Sequence, residues 1–354
     1  MKQMIELSIV IATFNSAKTL PQVLVSIKKQ SFSSKLMEII VVDGGSHDKT
    51  LGIARKFGCR IIKNTQTEPV YGKFIAYKKA KGRYLMYIDH DEELLNPESI
   101  SWKIAALRKN KKAKAIAGGN YENPEGYPFI NSYINEFGDP FSFFVYRLSK
   151  SSKHFLSTMK KRYPLTVETS QYAIFDISKA RNLPIIELVA GGSMFDAERL
   201  KKDFPKTKKD FKLLPHYFYL LFSRYKSIIV MKNDPIRHYS SDTIKKYLVK
   251  INWRIKNNIY FKNSMGESGF YGRERYQPFG FRIKKYLFIP YTLSIAFPLI
   301  DSISLSFTRK NFLYFIHFPL CFYTSALIVY HYLFKILGNK PYLKSYDNKK
   351  TIQR

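Results

Sequence analysis

The sequence predicts an α/β protein built on a mixed, mainly parallel sheet. Short β-rich apolar runs alternate with helical stripes over the first hundred residues, and runs such as Leu7 to Ala12 are apolar nearly throughout rather than at every second position. A strand of that kind is buried on both faces, and parallel sheets are covered on both faces by their crossover helices. A separate signal, two long apolar stretches after Tyr286, predicts C-terminal membrane-associated helices.

Taken in order, Leu7 to Ala12 is the first strand, and Ser16 to Gln30 follows as a helix with Leu20, Leu24 and Ile27 on one stripe. Glu38 to Val42 is the second strand, after which Asp48 caps a helix carrying Leu51, Ala54 and Phe57. Arg60 to Ile62 is the third strand, Tyr71 to Lys81 a helix, and Tyr84 to Ile88 the fourth strand. Asn96-Pro97 supplies a cap and a first-turn proline for a helix containing Ile100, Ile104 and Leu107. From Gly118 to Pro184 the pattern loosens into aromatic-rich segments, and Ala190 to Tyr239 returns to the same domain with a strand at Ile228 to Val230. Ligands of such sheets gather at the carboxyl ends of the strands.

The charge balance is strongly basic: 59 Lys and Arg against 27 Asp and Glu in 354 residues, a net of +32. That excess asks for an anionic partner, either nucleic acid, acidic headgroups or a phosphorylated substrate, unless it is only a lysine-rich solvated surface. No helix-turn-helix or zinc spacing supports nucleic acid, and the two cysteines, Cys59 and Cys321, make neither a disulfide framework nor a zinc site. The first apolar run is too short for a signal peptide, so the N-terminal domain is expected to face the cytosol.

Ile244 to Lys262 places Ile244, Leu248, Ile251, Ile255 and Ile259 on one helical face, with Lys245, Lys246, Lys250, Arg254 and Lys256 elsewhere. Two readings fit: a basic helix at a membrane surface, and an ordinary helix packed on the domain. Tyr286 to Phe307 holds one acid, Asp301; Phe312 to Gly338 has Lys335 as its one fixed charge and would span about 39 Å at about 1.5 Å per residue. The expected organisation is a catalytic domain over 1–240 (donor half to about 118, acceptor half from 119), a basic membrane-interface region over 241–285, membrane-associated or transmembrane helices over 286–340, and a basic tail over 341–354.

The chemistry centres on Asp89-His90-Asp91, directly after the fourth strand. Two carboxylates on one loop are costly to hold together without a cation. A divalent metal, Mn²⁺ or Mg²⁺, bridging a diphosphate would neutralise them and stabilise a leaving phosphate. The plainer reading is an acidic turn capping a helix, to which Glu92 and Glu93 add.

Three blocks stand in order: Ser8 to Asn15, Ile40 to Thr50 with Asp43-Gly44-Gly45-Ser46, and the Asp89-His90-Asp91 centre. Together they resemble the inverting glycosyltransferases of family 2, which have the GT-A fold, a Rossmann-like α/β sandwich. The resemblance is specific over roughly the first hundred residues and thinner to about His238. It implies that Ala12, Thr13, Phe14 and Asn15 hold base and ribose, that Asp43 accepts a nucleobase N–H, and that Asp89 and His90 meet the nucleotide sugar. The family pattern often has a second acid where Gly44 stands. Lys73 matches a basic residue facing the nucleotide, or is a solvated helix charge. Gly191, Gly192 and Ser193 resemble an acceptor-side segment whose small residues admit a sugar. Asp210, in Lys209-Asp210 where many members have an acidic pair, is the implied base that takes the acceptor's proton; a charged surface turn is the other reading. His238 resembles a late histidine that joins Asp89 and Asp91 on the metal, or is a surface histidine, and Arg237 could meet phosphate. Without a Gln-x-x-Arg-Trp motif, addition of a single sugar is expected, from a UDP- or GDP-linked donor to a lipid-linked or glycan acceptor at an anionic membrane, without nucleic acid.

The rival classes are a nucleotidyltransferase, a basic nucleic-acid- or membrane-binding protein without catalysis, and an inactive relative serving as a scaffold. The first wants a glycine-rich basic loop where Ala12-Thr13-Phe14-Asn15 stands. Salt-sensitive DNA binding without nucleotide-sugar turnover would mark the second.

Overall fold

The computed structural model describes residues 4–180, 190–260 and 277–342. Strands β1 (Leu7–Thr13), β2 (Met37–Asp43), β3 (Arg60–Lys63) and β4 (Tyr84–Tyr87) alternate with helices α1 (Leu20–Lys28), α2 (Thr50–Lys56) and α3 (Pro69–Lys79). Next come β5 (Glu92–Leu94), α4 (Ser99–Lys109), β6 (Ala115–Ile116), β7 (Tyr121–Glu122), α5 (Phe129–Phe137), α6 (Pro140–Tyr146) and α7 (Phe155–Lys160). The domain closes with β8 (Leu165–Glu168), β9 (Tyr172–Asp176), β10 (Ser193–Asp196), α8 (Ala197–Asp203), α9 (Tyr217–Tyr225), β11 (Ser227–Met231) and β12 (Ile236–His238).

Among the described residues nine strands form one sheet in the order β3-β2-β1-β4-β10-β6-β11-β9-β8. The pairings run seven strands one way and reverse only β10 and β9. Pleating sends Val10, Ile40, Val42, Leu85 and Tyr87 to one face, under α3, α8 and α9. Ile9, Ile11, Val41, Met86 and Ile88 go to the other, under α1, α2 and α4. That is why the strands read as continuous apolar runs. A small sheet, β5-β12-β7, sits beyond the carboxyl end of β4.

Two helices start later than expected, each for a local reason. α1 starts at Leu20 instead of Ser16, because Ser16 and Ala17 give their amides to Thr50 Oγ1 (2.7 Å) and Asp48 Oδ2 (3.0 Å). α4 starts at Ser99, because Asn96 Oδ1 accepts the Glu98 amide (2.9 Å) in a turn before the helix.

The C-terminal part is helical: α10 (Ile244–Tyr260), α11 (Phe279–Ile283), α12 (Phe288–Leu293), α13 (Ala296–Thr308) and α14 (His317–Ile336). α10 turns Tyr247, Ile251, Ile255 and Ile259 inward against α5, α6 and α14, while Ile244 at its start stays exposed. The run Phe312–Ile336 is long and apolar enough to cross a membrane by length and composition. Yet one side of it is engaged along its length. His317 Nδ1 meets Tyr133 Oη on α5 (2.5 Å), His331 Nε2 meets Asn252 Oδ1 on α10 (2.7 Å), and Lys335 Nζ donates to Ile259 O (2.9 Å). Polar side chains of the helix are thus met by partners on α5 and α10 on this side. The segments Phe279–Leu293 and Ala296–Thr308 meet at 92°.

Candidate active site

The loops after β1 and β2 are laced together. Asn15, at φ 49°, donates its amide to Ser46 Oγ (2.9 Å) and accepts the His47 amide on Oδ1 (3.0 Å). Asp43 is buried at the end of β2, where Oδ1 accepts the hydroxyls of Thr13 (3.1 Å) and Ser46 (2.5 Å) and Oδ2 accepts the amides of Gly45 (2.9 Å) and Ser46 (2.8 Å). A carboxylate offers about four acceptor positions. Asp43 therefore uses these positions to shape the two loops at the end of β2. Ala12 and Phe14 stay half-buried at the rim of this cleft.

The missing second acid also has a physical counterpart. A Cβ at Gly44 would lie 3.2 Å from Thr67 Cγ2 and 3.3 Å from Thr67 Cα, and Thr67 Oγ1 donates to Gly44 O (2.9 Å). The β3–α3 loop thus occupies the space a side chain would take. Glu68, buried beside it, caps α3 by accepting the Tyr71 amide (2.6 Å); burial pushes its carboxyl up to about 7, against the pull of that bond and of Lys73.

Lys73 is no solvated charge. It is buried, and its ammonium meets Asp89 Oδ1 at 2.6 Å. The Asp89-His90-Asp91 loop is held from below by Glu92, whose Oε2 accepts the amides of Asp89 (2.8 Å) and Gly191 (2.7 Å) and whose Oε1 accepts Tyr121 Oη (2.8 Å). Burial, then the neighbouring Asp89, push the Glu92 carboxyl up to about 7. His90 Nδ1 meets Thr19 Oγ1 (3.1 Å), joining this loop to the first.

Gly191 (φ 63°) and Gly192 (φ 65°) make the turn into β10. A Cβ on Gly191 would lie 2.7 Å from Tyr121 Oη, and one on Gly192 2.9 Å from Ile236 Cδ1. Their smallness lets β10 pack against β7 and β12. Ser193 is buried beside them, and its Oγ has no hydrogen-bond partner.

His238 faces Asp91, Nε2 to Oδ2 3.6 Å, across the β12–β5 pairing. Its Nδ1 stands 2.8 Å from Asn135 Oδ1, while Asn135 Nδ2 donates to Glu122 O (3.2 Å). That orientation places the proton on Nδ1 and turns the Nε2 lone pair toward a carboxylate. One positive charge is then needed between them, a second proton or a metal ion. Burial opposes ionisation of Asp91, but His90, His238 and Lys250 around it hold its carboxyl well below the usual range. Two of the three expected ligands are therefore together in a form that fits a divalent cation, while Asp89 is engaged by Lys73. Among the described residues no group of three or more His, Cys, Asp and Glu is already gathered for a metal.

Asp210 caps the short turn Phe211–His216, accepting the Lys212 amide (2.9 Å), and is exposed. The adjoining Phe211 packs edge-on against Tyr71 (5.5 Å between centroids) on α3, the helix that carries Lys73. Asp139 is occupied by the Ser142 amide (2.7 Å) and Arg254 (3.0 Å). Asp196 pairs with Tyr84 at the opposite end of the sheet. Arg237 is spent on Glu93 (3.2 Å).

Sequence reasoning missed Glu92 as the hub and Lys250 as a member of the site. Lys250, on α10, donates to Ser240 Oγ, and burial, then Arg254, pull its ammonium down to about 8, while Asp91 and Asp89 oppose the shift. Its place in a row of surface-like lysines gave no signal.

A nine-stranded, mostly parallel sheet with polar loops at its carboxyl end defines a GT-A type nucleotide-binding fold. Residues 8–181 match the model of glycosyl transferase family 2, and the chain belongs to that family. It is 32% identical over 131 residues to poly(ribitol-phosphate) beta-N-acetylglucosaminyltransferase TarS of Staphylococcus aureus, covering 35% of this chain and 23% of the relative. It is 27% identical over 120 residues to glucosyl-3-phosphoglycerate synthase of Petrotoga mobilis, covering 30% and 36%. The alignments thus span less than half of either relative. In fold it is similar to a mannosyltransferase of Pyrobaculum calidifontis solved with GDP-Man and Mn²⁺ (TM-score 0.52, 12% identity, 92% of this chain and 86% of that one).

Proposed function

We propose that this protein is a metal-dependent inverting glycosyltransferase that moves one sugar from a UDP- or GDP-linked donor to a phosphate-bearing, membrane-linked acceptor. The observation that carries the reading is the convergence of Lys73, Asp89, Asp91, His238 and Lys250 beyond the end of β4. Base and ribose would lie on Ala12 to Asn15 and the loop shaped by Asp43, with Lys73, Lys250 and His90 toward the phosphates. Asp91 and His238, with Asp89 once it leaves Lys73, would hold Mn²⁺ or Mg²⁺, which supplies Lewis-acid charge to the leaving diphosphate. The acceptor hydroxyl attacks the anomeric carbon, its proton passes to Asp210, the anomeric C–O bond breaks and the nucleoside diphosphate leaves with that electron pair. Membrane association rests on the apolar outer face of the C-terminal helices, with the sheet domain toward the cytosol.

UDP-GlcNAc is the first donor to test, since the staphylococcal relative is named for N-acetylglucosamine transfer. Asp91→Ala is expected to lower turnover at least 10²-fold, and EDTA to stop the wild type until Mn²⁺ or Mg²⁺ is returned. Asp210→Asn is expected to bind donor normally while transfer falls roughly 10²-fold or more. Full turnover by Asp91→Ala in EDTA sinks the metal assignment; near-normal transfer by Asp210→Asn moves the base elsewhere.

A further inference from the structure

We propose that an apolar groove at the start of α5 is a hydrocarbon-chain site, which seats the chain of the phosphate-bearing lipid acceptor with its head toward the active centre. This rests on the transferase reading above and adds the place where the acceptor is held. The groove has a volume of about 450 Å³ and walls that include Phe129, Ile130, Ile244, Phe312, Leu313 and Ile316, with almost no polar surface. The volume suits a bound small molecule, but such sites normally carry a few convergent polar groups. Walls without them suit a chain of methylenes.

Three observations set the orientation. Along α5, Asn131 follows the lining residue Ile130, donates to His238 O (2.8 Å) and accepts the Ser241 amide (2.8 Å). The groove wall thus stands one residue along the chain from the scaffold of the proposed metal ligand. At its mouth, Ile244 is followed by Lys245 and Lys246; Lys246 (2.6 Å) and Lys18 (3.4 Å) share the single carboxylate of Asp242. Lys18 precedes Thr19, the residue that meets His90, so this cationic cluster lies between groove and catalytic loop and would face an anionic head. At the outer end, Phe312 and Leu313 are 78% and 57% exposed and continue into the apolar outer face of α13 and α14, where a lipid would be drawn from a bilayer.

The test uses the full chain in mixed micelles and a photoreactive dodecyl phosphate, with labelled peptides mapped by mass spectrometry. Labelling is expected on the peptides of Phe129–Ile130 and Phe312–Ile316. It is expected to fall at least tenfold in Leu313→Gln and in Ile244→Gln, and to stay unchanged in Ile336→Gln, outside the groove. Unlabelled dodecyl phosphate is expected to compete at least tenfold better than dodecyl maltoside, and inorganic phosphate not at all. Labelling spread evenly along α13 and α14, equal competition by the maltoside, or wild-type labelling in both groove variants overturns the proposal. So does a dimer that the same two variants dissociate, since a second copy would then be the occupant. Donor hydrolysis by water, followed in the same samples, separates the two claims. Its absence from the wild type sinks the transferase reading alone, and its persistence with no groove labelling sinks this one alone.

Discussion

The sheet domain and the C-terminal helices are built inside out relative to each other. In the sheet the interior is aliphatic and aromatic, and polar groups collect at the strand ends where the chemistry sits. In the helical layer the inner side carries Asp301, bidentate to Arg147 (2.6 Å for each bond), together with His317, Thr324, Ser325 and His331, while the outer side is apolar. Among the described residues, nineteen large hydrophobics are exposed between Phe279 and Tyr342, against four before residue 180. A patch of that extent exceeds scatter on a soluble surface, and the proposed membrane association rests on it. The sheet buries its apolar side chains, whereas the helices leave theirs on the outer face.

The comparison breaks most readily at the one strong exception in the sheet domain. Lys103 on α4 is buried and ion-paired with buried Asp234, just before β12, with Ser99 Oγ at 2.5 Å. Lys103→Met leaves Asp234 charged and unpaired, and is expected to destabilise by about 3–5 kcal/mol. The matched change Arg147→Met, at a pair that is partly exposed, is expected to cost less than half of that. Urea midpoints of the two variants measure the contrast. Equal losses would mean that the helical layer is as much a part of the cooperative core as the sheet.

What the sequence disclosed follows the same division. The strands of the first half were legible because two-sided burial writes itself as unbroken apolar runs, and Asp89 and Asp91 because acids at a strand's carboxyl end are conspicuous. Lys73 and Lys250 were not distinguishable from other lysines, since only tertiary packing turns them inward. Glu92 looked like a turn acid because nothing local shows that Tyr121 and Gly191, distant in sequence, converge on it. For the helices after Ile244, periodicity gave the stripes but not their partners. A stripe facing α5 and one facing lipid read identically.

A smaller effect tests how the donor side stores strain. Glu68 is buried, its Oε1 has no hydrogen-bond partner, and its pKa is raised from 4.5 to about 7. A carboxyl with a raised folded-state pKa contributes its stability below the unfolded value, near pH 4.5, and loses it as pH rises through about 7. Glu68→Gln keeps an oxygen for the Tyr71 amide and removes that penalty. It is expected to be more stable than the wild type by on the order of 2–3 kcal/mol at pH 8, and by nothing measurable at pH 4.5. Parallel urea titrations at the two pH values decide it; a pH-independent difference would place the carboxyl outside the titrating range.

The smallest effect on folding carries the sharpest test of the outer face. Ile336 is 78% exposed at the end of α14, and Leu333, one turn earlier, is 56% exposed. Neither supports the interior, so Leu333→Asn/Ile336→Asn is expected to move the unfolding midpoint by no more than about 0.5 kcal/mol per site. Each nonetheless removes apolar area that a bilayer would bury, at about 25 cal/mol per Å². In flotation with vesicles containing anionic lipid, the double variant is therefore expected to bind at least tenfold more weakly than wild type, with residual binding that salt removes because the lysines remain. Donor hydrolysis is expected to be unchanged, since neither side chain is among the residues assigned to the active centre. Wild-type flotation in the variant would show that the apolar outer face is not what meets the membrane, and the inside-out contrast would then describe only how the helices pack.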